Sequence, residues 1–174
     1  LEFNSLGSIK QYDTNILEKT NVNDLVYNSN SYYLNNGIEN NFNLIFKNVN
    51  SESKNSSKYK GSLSSNINGL AEVNSSFPLI KMNGKFKNIL IPKASFRFNP
   101  RNTKNKKDDV RLVGYENIFD LNRLGVSDTL EGGESLTYGV SYSLNNDLDR
   151  ELFTAKIANV FRLEEDQNIP ISST

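Results

Sequence analysis

Residues 115–144 read YENIFDLNRLGVSDTLEGGESLTYGVSYSL, and their second part decides the fold class. From Ser135 onward, Leu136, Tyr138, Val140, Tyr142 and Leu144 fall on one face of an extended chain. Ser135, Thr137, Gly139, Ser141 and Ser143 fall on the other. Strand side chains alternate with period 2, so one face is apolar and aromatic and the opposite face small and polar. A run of about 9–11 such residues is also what a tilted strand needs to cross the hydrocarbon of a bilayer. The preceding stretch, rich in Asn, Arg, Asp, Glu and Gly, reads as a long loop.

The rest of the chain reads as strand, turn or polar connection. Residues 1–13 alternate weakly and a polar connection follows through Thr20. Residues 21–34 are aromatic and β-branched, with a phase shift between Val26 and Tyr32, and Asn35-Asn36-Gly37 supplies tight-turn chemistry. Residues 38–49 place Phe42, Leu44 and Phe46 on one face. A Ser/Asn/Lys loop is expected over 50–57. Residues 58–81 make a long strand with a bend or bulge at Asn68-Gly69. After a turn at Met82-Asn83-Gly84-Lys85, residues 86–98 (FKNILIPKASFRF) carry Pro92 in mid-run, which removes a ladder donor and implies a bulge or a locally broken pairing. Residues 99–134 form the longest connection, 145–150 a short turn, and 151–163 a last strand with Phe153, Ala155, Ile157, Phe161 and Leu163 on one face. The expectation is an all-β, antiparallel, curved meander of about seven strands whose connections alternate short and long, a partial wall of a large transmembrane β-barrel. Half-buried strands of a soluble sandwich show the same period, so a soluble or surface-exposed β-protein stays open at this point.

Composition narrows the chemistry. Twenty basic and 20 acidic residues cancel, leaving no global electrostatic case for nucleic acid. Without His or Cys the commonest transition-metal ligands and the usual general base are missing, so neither metal nor cofactor is expected. Asn, at roughly one residue in six, disfavours long helices because its side chain competes for backbone hydrogen bonds. No apolar run approaches the length of a transmembrane helix. The chain opens at Leu1 and stops among polar residues, which reads as one partial barrel domain, residues 1–174, cut from a longer protein.

Several residues invite sharper readings. Arg101, Lys104, Lys106 and Lys107 could contact the phosphates of an anionic glycolipid, but Asp108 and Asp109 follow at once and neutralise part of the cluster, which favours a solvated loop. Glu131 with Glu134, or Asp108 with Asp109, form carboxylate pairs, but no nucleophile motif accompanies them, and no enzyme is expected. Gly132-Gly133 reads as a turn requiring unusual φ ahead of the strand, since no phosphate-loop context surrounds it.

These blocks, taken in order, resemble the barrel domain of the lipopolysaccharide-assembly family LptD, also called organic-solvent-tolerance proteins. Phe77-Pro78-Leu79 followed by residues 89–100 (ILIPKASFRFNP) resembles the family's strand of alternating aromatic and Arg residues ending in Asn-Pro. Asn117, Phe119, Arg123, Gly125, Asp128, Glu131, Gly132 and Gly133 resemble its external loop. Tyr138-Gly139 matches the strand after it, and Val160-Phe161-Arg162-Leu163, Glu165-Asp166 and Ile169-Pro170 the strand and loop that follow. Thr129 stands where the family often has Arg, Ala158-Asn159 replaces its usual Gly-Gln, and no cysteines are available for the disulfides some members carry.

The resemblance implies transport and insertion of lipopolysaccharide into the outer leaflet of the Gram-negative outer membrane. It further implies an LptE-like plug lipoprotein and an LptA-like periplasmic bridge that docks on an N-terminal jellyroll outside this segment. A different outer-membrane barrel, porin or receptor, and a β-rich adhesin module are the rival readings.

Overall fold

The computed structural model describes residues 1–107 and 113–170; Asp108 and Asp109 therefore lie outside the described residues. One antiparallel sheet holds every strand: β1 (Glu2–Tyr12), β2 (Ile16–Asn28), β3 (Tyr32–Tyr33), β4 (Glu39–Lys54), β5 (Ser64–Ser76), β6 (Leu79–Asn83), β7 (Phe86–Asn99), β8 (Gly133–Asn145) and β9 (Glu151–Arg162). The order across the sheet is β1-β2-β4-β5-β7-β8-β9, with β3 on the lower end of β4 and β6 continuing β5 alongside β7. The path is a seven-stranded meander that does not close, as the alternation predicts. No helix occurs among the described residues.

Parity sorts the two faces as expected. Thr137 is fully buried while its neighbour Tyr138 is 50% exposed, and Ser135 is buried while Leu136 is exposed. Phe42, Phe46, Val73, Phe96, Phe98, Phe153, Ile157 and Phe161 point outward with them. Tyr138, Val140 and Tyr142 are thus not sealed in a dry core.

The outward apolar band runs obliquely to the register. Val140, midway along the run in β8, pairs with Pro92, yet the band of β7 continues up to Phe98. Phe98 pairs with Ala71, Ala71 with Leu44, and Leu44 with Tyr27; from there the band rises to Phe46 and Leu25. A band that climbs across hydrogen-bonded rows is what strands tilted about 35–45° to a bilayer normal produce. Above it, the outward side chains of β2 and β4 become amides: Asn23 bonds Asn21 at 2.7 Å and Asn48 at 3.3 Å, and Asn48 reaches Ser65 at 3.0 Å.

The turns obey their sequences. Gly37, at φ +87°, closes the hairpin onto the Leu34 carbonyl at 2.9 Å. Pro92 is accommodated where β5 gives way to β6. Its carbonyl accepts from Phe77 N at 3.0 Å, so the missing donor faces a gap in the ladder, while the register to β8 is unbroken.

Three boundaries and one expected bulge differ from expectation. The first hairpin turns at residues 13–15, with Asn15 at φ 58°, rather than through a connection to Thr20. The strand expected to end at 49 runs to Lys54, because Ser51 and Ser53 stay paired with Thr20 and Glu18 of β2. The loop therefore falls at 55–63, and β5 starts at Ser64 rather than Lys58. Asn68-Gly69 makes no bulge: both lie in continuous register with β4, and Gly69 leaves space for the Phe46 ring, 3.3 Å from where a Cβ would sit.

Candidate functional site

The described parts of the longest connection, residues 100–107 and 113–132, do not project from the wall. They fold back over the polar inner face. Two apolar contacts seat them: Leu130 and Leu121 pack on Ile45, Leu70 and Val26 of the wall, and Leu124, Val126 and Val113 pack on Ile169 of the tail. Turn chemistry shapes them locally. Gly125 adopts φ +61° with its N–H on the Asn122 carbonyl at 2.8 Å. Asn117 accepts from Gly114 N at 2.8 Å. At the base Gly133 sits at φ +75°, as the turn reading requires, and Gly132 has no room for a Cβ, which would lie 2.2 Å from the Arg101 carbonyl oxygen.

Charge fixes the loop to the wall. The buried Glu131 carboxylate accepts from Arg123 Nε at 2.6 Å and Nη2 at 2.5 Å, a bidentate pair, and from Arg162 Nε of β9 at 2.9 Å. Arg123 also donates to Thr137 Oγ1 at 2.9 Å and Ser135 Oγ at 3.0 Å on β8. Arg97 of β7 lies 3.9 Å from Glu131 and 3.4 Å from Glu72 of β5, and donates to the Leu121 carbonyl. Asn99 holds the Glu131 carbonyl at 2.8 Å. Three guanidinium groups and two carboxylates from three strands and the loop, with two hydroxyls of β8, thus form one buried network, in which charges compensate desolvation only because each keeps close partners.

Burial pushes the Glu131 carboxyl up, but its hydrogen bonds and charge contacts with Arg123, and the nearby Arg162 and Arg97, pull it down to about 2. A carboxylate depressed in the folded state stabilises above its ordinary value of 4.5 and loses that contribution as pH falls through the folded value. Pepsin cleavage within the loop should therefore rise between pH 4.5 and 2, and Glu131→Gln should flatten that rise. A profile unchanged by the substitution would assign the acid lability elsewhere.

A second cluster surrounds Asp128. Lys106 approaches to 2.8 Å, Tyr59 OH donates at 2.9 Å, and Lys104 lies at 4.0 Å. Burial raises the Asp128 carboxyl, but the Lys106 hydrogen bond and charge outweigh it and the net shift is downward. Burial, followed by the Asp128 charge and hydrogen bond, pushes the Tyr59 phenol upward.

Of the family-motif residues, Arg123 and Glu131 meet, Asp128 serves the separate lysine cluster, and Asn117, Gly125, Gly132 and Gly133 shape the backbone. Phe119 stacks edge-on with Tyr115, 6.2 Å between centroids. Among the four basic residues, Lys106 is committed to Asp128, Lys104 is shared between Asp128 and the Tyr59 ring, and Arg101 and Lys107 are exposed. Glu131 and Glu134 are not brought together: Glu134 pairs with Phe98 on the outward face. Sequence reading named Thr137 on the polar face and Arg97 and Arg162 within strand motifs without joining them to this cluster, and it did not name Glu72. The signal for the two arginines was Phe96-Arg97-Phe98 and Phe161-Arg162-Leu163, where period 2 turns a cation inward between two outward apolar groups.

A sheet that is apolar and exposed on one face, polar and loop-covered on the other, and built of tilted antiparallel strands defines the wall of a transmembrane β-barrel. The family model described as LptD: LPS transport system D matches residues 11–174, and the chain belongs to that family. At the level of the family, the role is lipopolysaccharide transport at the outer membrane of Gram-negative bacteria. No curated protein matches the chain.

Proposed function

We propose that this sheet is a stretch of the wall of a lipopolysaccharide translocon that works by binding and passage, not by catalysis. The family match over residues 11–174 carries the reading. The division of the faces supports it. An amphiphile with acyl tails and a sugar head group needs a polar track for the head and an apolar exit for the tails. The inner face below the loop offers Asn41, Asn43, Asn74, Ser141 and Ser143 to hydroxyl groups. Within its band the outer face offers mainly hydrocarbon and aromatic rings.

Free edges at β1 and β9 require further strands, since unpaired backbone groups are not tolerated in lipid. The reading adds a jellyroll that receives lipopolysaccharide from an LptA-like bridge, and an LptE-like lipoprotein within the barrel. The end bearing the long loops then faces outside the cell.

Depletion of the full-length protein should stop newly made lipopolysaccharide from reaching the surface, read by labelling intact cells with a membrane-impermeant reagent. Unchanged labelling with loss of uptake of a small solute would replace the translocon by a porin or receptor.

A further inference from the structure

The sheet contains an internal break in its ladder. β4 pairs with β5 along its whole length, from Ser64 to Ser76, but β7 pairs with β5 only from Ala71 to Ser76. Residues 64–70 thus present an unpaired edge toward β7 among the described residues, because the chain leaves the wall at Pro100 and turns inward. A cleft of about 470 Å³ occupies the break. It is lined by inward residues of β5 such as Asn66 and Asn68, by the outward Ile67, and by Arg101, Asn102 and Lys104 of the loop. Since both faces of β5 contribute, the cleft reaches round the free edge of the strand.

The loop bank of this cleft is fixed in place. Asn99 Oδ1 accepts from Arg101 N at 3.0 Å, Thr103 Oγ1 accepts from Gly132 N at 2.8 Å, and Lys104 N donates to Thr129 Oγ1 at 3.2 Å. The Arg101 guanidinium is exposed and has no ion-pair partner among the described residues. Lys104 is shared between Asp128, 4.0 Å away and held at 2.8 Å by Lys106, and the Tyr59 ring, and it still lines the cleft. The position in the wall matters too. The first paired row below the cleft, Phe98 with Ala71, belongs to the outward apolar band, so the cleft lies at that band's upper margin.

We propose that this cleft binds the phosphorylated saccharide head group of an outer-leaflet glycolipid whose acyl chains lie along Phe96 and Phe98. Amides and free strand-edge groups both donate and accept, which hydroxyl-bearing rings require, and an unpaired guanidinium matches phosphate with two parallel bonds. A peptide strand adding to the β5 edge is the competing occupant. It is disfavoured because the opposite bank is made of loop side chains, Arg101, Lys104, Asn102, Thr129 and an Asp128 carboxylate already neutralised by Lys106, rather than another strand edge. That the glycolipid is lipopolysaccharide rests on the function proposed above, whereas the cleft itself does not.

The test uses the full-length protein in vesicles containing lipopolysaccharide, with p-benzoylphenylalanine in place of Ile67 at the cleft or of Asn74 on the inner face. Cross-linking at Ile67 should capture lipopolysaccharide, and Arg101→Ala with Lys104→Ala should lower that capture about tenfold, as should chemical removal of the lipid phosphates. Millimolar inorganic phosphate should not compete. Capture at Asn74 but not at Ile67 would overturn the cleft and leave the translocon standing, while capture at neither would overturn both. Capture of a peptide at Ile67, or displacement by inorganic phosphate alone, would overturn the head-group assignment.

Discussion

Replacing Arg123 by Ala is expected to release residues 113–132 from the inner wall at a cost of about 3–5 kcal/mol, the range for removing one partner of a buried ion pair. The size follows from what is stranded. Glu131 would keep Arg162 at 2.9 Å but lose its bidentate partner, with Arg97 remaining at 3.9 Å. The hydroxyls of Thr137 and Ser135 would lose their donor in a fully buried setting. Each orphaned polar group adds its own desolvation cost.

The double change Arg123→Ala with Glu131→Ala should then be milder than the sum of its parts, because it removes the uncompensated charge together with its partner. Trypsin cleavage between Arg101 and Arg123, followed in the folded barrel, reads the release directly. Lys107, which is exposed, supplies the control. If Arg123→Ala were no more susceptible than Lys107→Ala, the network would not be what holds the loop.

How much of this was legible beforehand depends on which force set each feature. Within the bilayer the hydrophobic pattern fixes the strands, so β8, β9 and the faces of Tyr138 and Ser141 could be read directly. Above the bilayer both faces are polar. Asn48, Asn50 and Glu52 alternate with Val49, Ser51 and Ser53, no period marks the strand, and β4 continues only because β2 pairs with it. That is why its upper end read as loop.

Asn68-Gly69 misled for a related reason: the glycine answers to a cross-strand ring, Phe46, which local sequence does not show. Pro92 was legible in kind, since a missing donor must face a gap, but the sequence reads the partner strand as running through to residue 81, with its interruption at Asn68-Gly69 rather than between β5 and β6. The loop cluster was legible as a group through its resemblance. Its division was not, because Tyr59 meets Asp128, and Glu72 meets Arg97, across long stretches of chain.

Arg in place of Val140 should destabilise the barrel by roughly 2–4 kcal/mol, whereas Ser141→Arg should cost far less. The two positions are adjacent in sequence and opposite in face. Val140 sits outward between Pro92 and Ile157, while Ser141 sits inward between Ile91 and Lys156. A guanidinium at Val140 finds no carboxylate on its cross-strand partners Pro92 and Ile157, only the diagonal Asn159 amide, and must thin the bilayer or snorkel. At Ser141 it meets the polar inner face, where the cross-strand Lys156 adds only a like-charge penalty of up to about 1 kcal/mol.

Denaturant unfolding in vesicles, followed by the gel mobility of the heated and unheated protein, compares the pair. Depth supplies an internal control, since Glu134→Arg near the top of the same outward row should cost only about 0–1 kcal/mol. A soluble sandwich would not grade the penalty by distance from a midplane, because its dry core has a packing partner at every level. Equal tolerance of Val140→Arg and Ser141→Arg would mean the outward face does not meet hydrocarbon, and the oblique band from Leu25 to Phe161 would need another cause.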